Sequence, residues 1–256
     1  MPNPLAHQAS VAGSTLSSTL GGWRGTSVLH AATQPPKPLS LYDMEGSPAC
    51  RSVREALTAL GLDVQIWPCP QDGQRFVPKA QSLGGTAGQP LLLDPNGPVT
   101  LSDAATIIEH LFRHYAQRAT PRAYRVGTGS ALLGAAAALL RQQRGTRARP
   151  SRAPAKPLAL WSFESSPFSR LVRERLTELE LPYTLHNLGK EQFADMGPAV
   201  MRVRPGRYRP KPGGKREQLL ARLGRVQVPY LEDPNTGTSL FESAAIIDYL
   251  EHTYAR

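Results

Sequence analysis

The sequence predicts an α/β protein built from two tandem copies of one small module, each a mixed four-stranded sheet flanked by helices. Three observations predict it: an internal repeat that aligns without gaps over long stretches, an element order of β-α-β followed by β-β-α in each repeat, and two basic, acid-free inserts that stand apart from the repeated parts. Lys37-Pro-Leu-Ser-Leu-Tyr-Asp-Met-Glu45-Gly-Ser47-Pro48-Ala-Cys50-Arg51-Ser-Val53-Arg54-Glu55-Ala-Leu57-Thr58 lies on Lys156-Pro-Leu-Ala-Leu-Trp-Ser-Phe-Glu164-Ser-Ser166-Pro167-Phe-Ser169-Arg170-Leu-Val172-Arg173-Glu174-Arg-Leu176-Thr177, an offset of 119 residues. Pro90-Leu-Leu-Leu-Asp94-Pro95-Asn96 lies on Pro229-Tyr-Leu-Glu-Asp233-Pro234-Asn235 at an offset of 139, so the second copy carries 20 extra residues between them.

In the first copy, Leu39 to Tyr42 reads as a short strand. Ser47 is placed to cap a helix, with Pro48 at the first helical position, where its missing N–H costs nothing. Val53, Ala56, Leu57 and Leu60 then recur at helical spacing and make one apolar face. Val64 to Trp67 is a second strand, Leu91 to Leu93 a third, and Asp94-Pro-Asn-Gly97 turns into a fourth that ends near Leu101. A closing helix from about Asp103 to Tyr115 buries Ile107, Ile108 and Leu111. The first connection is a right-handed parallel crossover and the last two strands form a hairpin, which gives a mixed sheet. The organisation that follows is a flexible or loosely packed segment over 1–36, a first module over 37–116, a basic linker with a helix over 117–155, and a second module over 156–256 with a basic insert at about 197–216.

Composition bounds the function classes. Among 256 residues, two cysteines cannot build a disulfide framework, and no Cys/His cluster has zinc spacing, so neither a structural metal nor a secreted cystine knot is expected. A reducing compartment, the cytoplasm, is expected; residues 1–42 hold no acid and are rich in Ser, Thr, Ala and Gly, which leaves a plastid or other organelle as the alternative if residues 1–36 are a transit peptide. The longest apolar run, Val126 to Leu140, is interrupted by Thr128 and Ser130 and falls short of the roughly 20 residues of a bilayer crossing. The net charge of +10 is carried by the inserts: Arg118 to Lys156 has nine basic residues and Arg202 to Arg216 seven, neither with an acid, so the remainder of the chain is net acidic at −6. Binding of an acidic partner, nucleic acid or membrane surface would therefore belong to the inserts. Leu132, Leu133, Ala136, Leu139 and Leu140 form an apolar stripe that reads as an inter-domain packing helix, with a membrane surface as the alternative.

With these elements in order, each copy resembles the thioredoxin-fold N-terminal domain of glutathione transferases and glutaredoxins. The resemblance rests on Ser-Pro-x-Cys or Ser-Pro-x-Ser opening the first helix, on Gln89-Pro90 and Val228-Pro229 opening the third strand, and on an acid followed by a small residue opening the last helix. Two such domains joined by a basic linker also resemble a group of bacterial and plastid proteins that contain glutathione transferase N-terminal domains. The all-helical C-terminal domain of ordinary glutathione transferases has no counterpart, because a second copy occupies its length.

The resemblance implies glutathione as ligand or co-substrate, with no metal, and an electrophile or disulfide as the second substrate. It assigns Ser47 and Ser166 to the position of the nucleophilic cysteine of glutaredoxins, where a hydroxyl either donates to the glutathione thiolate or simply caps the helix. Cys50 falls at the fourth motif position, near a helix N-terminus and close in sequence to Arg51 and Arg54, so it reads either as a thiol with a lowered pKa or as a small buried residue. Cys69 reads as inert, with a Cys50–Cys69 bridge as the minor alternative. Pro90 and Pro229 are expected to be cis, exposing the backbone of Gln89 and Val228 to the cysteinyl part of glutathione. Glu242 and Ser243 would take its γ-glutamyl amine and carboxylate, and Asp103 keeps the acid in the first copy beside Ala104. Arg75 and Lys79, echoed by Arg207 and Lys211, are either cations for the glycyl carboxylate or solvated loop charges. The function expected is glutathione binding of a transferase-like or glutaredoxin-like kind, with weak thiol transfer through Cys50. The alternative is a non-catalytic paired scaffold that docks an acidic partner, nucleic acid or membrane surface through its basic inserts.

Overall fold

The computed structural model describes residues 4–86, 88–127, 144–197 and 207–256. The apolar stripe of the linker and the core of the second basic insert lie outside them. Eight strands form one sheet: β1 (Leu39–Asp43), β2 (Val64–Pro68), β3 (Leu91–Asp94), β4 (Val99–Leu101), β5 (Leu158–Ser162), β6 (Tyr183–Asn187), β7 (Tyr230–Asp233) and β8 (Thr238–Phe241). Their order is β4-β3-β1-β2-β6-β5-β7-β8, so the two expected four-stranded sheets are halves of a continuous one. Within each half the crossover pair is parallel and the other pairs antiparallel, as the element order requires.

The halves meet where β2 pairs antiparallel with β6, with Val64 opposite Leu185, Gln65 opposite Thr184 and Ile66 opposite Tyr183. Gln65 and Thr184 occupy the same place in their repeats, so an approximate two-fold axis passes between them, and the Thr184 hydroxyl donates to Gln65 Oε1 at 3.1 Å. An isolated module would leave β2 as an open edge, with unpaired N–H and C=O groups available to any other chain. Pairing two copies in one chain closes both edges, and a single apolar core runs through both, from Leu39, Leu57 and Ile66 to Leu160, Leu176 and Tyr183.

Seven α-helices cover the sheet among the described residues: α1 (Pro4–Leu20), α2 (Pro48–Leu60), α3 (Val77–Ser82), α4 (Ala104–His110, continued by a π turn to Tyr115), α5 (Pro167–Glu178), α6 (Lys215–Leu223) and α7 (Ser243–Tyr254). Ser47 and Ser166 cap α2 and α5 by accepting from the backbone N–H three residues on, and Pro stands at the first position of each. The segment expected to be loose is ordered into α1, which packs on α5 and buries Ser14, Ser17 and Ser18. Downstream of it, Arg24-Gly25-Thr26 and Arg144-Gly145-Thr146 repeat one another and do the same work. Gly25 lies against Glu164, and Gly145 against Glu45, so each strap reaches to the opposite copy. Both glycines have left-handed backbones, and a Cβ on Gly25 would stand 2.7 Å from Glu164 Cβ.

Beneath the straps lies a buried charge network on the pseudo-dyad. Arg54 donates to Asp43 at 2.6 Å within its own copy and to Glu164 at 2.9 Å across the boundary, and Arg173 reciprocates with Glu45 at 2.9 Å. Burial would push Glu164 up, but Arg173, Arg54 and Arg170 hold it at about 2. Burial pushes Asp43 up to about 6 against the opposing pull of Arg54. These shifts act on stability in opposite senses. Glu164 contributes stability above its ordinary value of 4.5 that is lost as pH falls towards 2. Asp43 binds its proton more tightly folded than unfolded, so its share declines as pH rises from 3.8 through about 6. We expect Asp43→Asn to flatten that decline in a profile of thermal midpoint against pH. An unchanged slope between about pH 4 and 6 would sink the assignment.

Candidate functional site

Ser47 and Ser166 stand at the N-terminal ends of α2 and α5, and Pro90 and Pro229 at the entries to β3 and β7. The two copies, so similar in sequence, present different chemistry there.

In the first copy, Ser47, Gln89 and Asp103 each have an internal partner. The Ser47 hydroxyl donates to the Gly88 carbonyl at 2.6 Å while accepting from Cys50 N–H at 3.3 Å. The amide of Gln89 donates to the Thr86 carbonyl, and the Gln89–Pro90 bond is trans, which corrects the expectation of a cis bond there. Asp103 has an ordinary extended backbone, and its carboxylate accepts from Thr106 N–H at 2.9 Å and from the Thr106 hydroxyl at 3.0 Å, capping α4. Cys50 is fully buried under β1, with Met44 N–H directed at its sulfur. Its pKa is not lowered: burial, with Asp43 nearby, pushes the thiol up to about 12. The helix N-terminus and nearby arginines do not win because Arg54 is occupied by Asp43 and Glu164, and Arg51 by Glu55. Cys69 is also buried, burial pushes it up as well, and both thiols are free. Thiol transfer through Cys50 therefore has no accessible thiolate.

In the second copy the equivalent positions are partnered differently. Ser166 accepts from Ser169 N–H at 3.3 Å, and among the described residues its hydroxyl hydrogen has no acceptor corresponding to Gly88. Val228–Pro229 is cis, and the Val228 amide has no internal acceptor among the described residues. Glu242 has a left-handed backbone, φ 69°, which a non-glycine residue adopts only under local constraint. It leaves its side chain off the cap of α7, held by the Gln227 amide. Ser243, the first residue of α7, is buried, and its hydroxyl lies 3.2 Å from His7 Nε2 of α1. Cis-Pro229, Glu242, Ser243 and the Ser166 cap thus supply backbone pairing groups, a carboxylate, a hydroxyl and two helix N-termini within the second copy.

The expected cations divide. Arg75 is committed to the boundary between copies, donating to the carbonyls of Leu179 at 2.9 Å, Glu180 at 3.0 Å and Ser151 at 2.7 Å. Lys79, on α3, and Arg207 and Lys211, before α6, are exposed. Two arginines not singled out by the sequence are closer to the chemistry: Arg51 and Arg170, equivalent positions one turn into α2 and α5, both reach Ser17 of α1. Their matched offset of 119 residues is a signal the repeat contains. Among the described residues no cluster of His, Cys, Asp or Glu could hold a metal ion, and no helix is long and apolar enough to cross a membrane.

The family model described as "Glutathione S-transferase, N-terminal domain" matches residues 41–119 and again 160–256. No curated protein and no solved structure matches the chain.

Proposed function

We propose, for a chain that belongs to the glutathione S-transferase N-terminal domain family through both of its halves, that glutathione binds in the second copy and that the first copy serves as its structural partner. The observation that supports this reading is the asymmetry between equivalent positions: Ser47, Gln89 and Asp103 have their polar groups satisfied within the first copy, while in the second, among the described residues, the Ser166 hydroxyl hydrogen and the Val228 amide have no internal acceptor and the exposed Glu242 carboxylate meets only the Gln227 side chain. In this reading Val228 pairs by its backbone with the cysteinyl residue. The Ser243 hydroxyl and the α7 N-terminus take the γ-glutamyl carboxylate, and Glu242 takes the amine. The Ser166 hydroxyl, at the positive end of α5, donates to the thiolate and lowers its pKa, so that glutathione supplies the reactive sulfur and the protein supplies none. Arg207 and Lys211 stand available for the glycyl carboxylate.

Calorimetric titration of reduced glutathione into the wild type and into Glu242→Ala tests this. Saturable binding, weakened about tenfold or more in the variant, is expected, since a charge-assisted hydrogen bond is worth about 1.5–3 kcal/mol. Asp103→Ala leaves binding unchanged. Equal loss in both variants, or no binding at millimolar glutathione, overturns the reading.

A further inference from the structure

α1 is amphipathic with the wrong side out. Its outer face carries Leu5 at 75% exposure, Leu16 at 57% and Leu20 at 40%, while Ser14, Ser17 and Ser18 on the inner face are exposed by 0–1%. A surface helix ordinarily docks by burying its apolar stripe. α1 is held instead by hydroxyls and carbonyls: Ser17 Oγ accepts from Arg170 at 2.6 Å and Arg51 at 3.4 Å, Ser18 Oγ accepts from Arg170 at 3.3 Å, and the Ser18 hydroxyl donates to the Ser165 carbonyl at 2.8 Å. Each such bond exchanges a water contact for a protein one, so its net contribution is a fraction of its gross strength.

The fit is also incomplete. Ser14 Oγ and Arg51 Nη2 are buried without a partner, which costs free energy that a better matched contact would not. Arg51 and Arg170 bring like charges together, and burial, followed by the charge of Arg51, lowers the Arg170 pKa to about 10. At its other end α1 sets the His7 imidazole against Ser243, the hydroxyl that the proposed ligand carboxylate would use.

We infer that α1 is a displaceable internal occupant of the second-copy ligand site, its serine face and His7 holding the place that glutathione takes when the helix moves off. The inference rests on the glutathione reading and adds its regulation: whatever holds α1 down weakens ligand binding by the fraction of molecules that are closed. The arrangement has the parts of such a device, a helix fixed by polar contacts that leave two buried groups without a partner, and lying over Ser165, Ser243 and Arg170.

The test uses the full chain. Ser17→Arg places a third guanidinium between Arg51 and Arg170 and drives α1 off, whereas Thr19→Arg adds the same charge on the exposed face. His7→Ala removes only the contact with Ser243. Hydrogen exchange over residues 4–20 and calorimetry with reduced glutathione are read together. Ser17→Arg is expected to lose α1 protection and to bind glutathione about tenfold more tightly than the wild type, with His7→Ala shifted the same way by less and Thr19→Arg unchanged. Saturating glutathione should also speed exchange in the wild-type α1. Equal or weaker binding in a Ser17→Arg chain whose α1 has come off overturns this inference alone, since α1 would then complete the site or stand clear of it. No binding in either the wild type or the undocked chain overturns the glutathione reading, and this inference with it.

Discussion

Arg54→Met lowers the unfolding free energy by about 3–5 kcal/mol in urea denaturation, the largest loss expected of any single substitution in the chain. Arg54 is fully buried and contacts three carboxylates, Asp43 at 2.6 Å, Glu164 at 2.9 Å and Glu45 at 3.1 Å. A methionine fills much of its volume but leaves buried Asp43 without its cation, and Glu45 and Glu164 to Arg173 and the more distant Arg170. Arg173→Met should cost a similar amount, because Glu45 and Glu164 are its partners in turn. The exposed pair Arg113–Glu109 is the internal contrast, and Arg113→Met should leave stability unchanged within error. A loss under about 1 kcal/mol for Arg54→Met would mean that the network relaxes or takes up protons in place of its missing arginine.

Asp233→Ala costs about 2–4 kcal/mol and also weakens glutathione binding, whereas Asp94→Ala costs a similar amount and leaves binding intact. Asp233 accepts from Asn235 N–H at 2.8 Å, from the Asn235 amide at 2.7 Å, and from the hydroxyls of Tyr249 at 2.7 Å and Tyr254. It thereby pins the hairpin turn to the far end of α7, and α7 carries Ser243 at its first turn. Asp94 does the same for the first copy through Asn96, Tyr115 at 2.6 Å and His110 at 2.8 Å. Those bonds hold its carboxyl at about 2, so its contribution is present above the ordinary 3.8 and disappears only as pH falls towards 2. Matched stability losses with unmatched binding losses would separate the two copies by function. Equal binding losses would argue that the first copy also holds ligand.

The repeated Asp-Pro-Asn turn was legible in the sequence, and so were the β-α-β and β-β-α units and the serine caps. Each depends on residues close in the chain: Pro48 and Pro167 fix the helix starts, and Val53, Leu57 and Leu60 carry their own period. Partner choice at long range was not legible. Arg75 sits in a motif echoed by the second copy, yet its guanidinium is taken by carbonyls more than 70 positions away, Leu179, Glu180 and Ser151. Cys50 sits at a helix N-terminus, which by itself lowers a thiol pKa, but burial under β1 outweighs the dipole. The N-terminal segment does not dock by its apolar positions, since Leu5, Leu16 and Leu20 stay exposed and what docks it is a serine stripe on two arginines.

The sequence by itself determined that there are two modules, what strands and helices each contains, and which family they belong to, since periodicity, capping and turn chemistry act within a few residues. Only the tertiary structure decided that the modules share one sheet through β2 and β6, that four charged side chains exchange partners across that join, and that α1 packs on α5 with Ser17 between Arg51 and Arg170. Backbone pairing at a sheet edge and the burial of charge depend on which surfaces meet, and a surface is assembled from residues that the chain order keeps far apart.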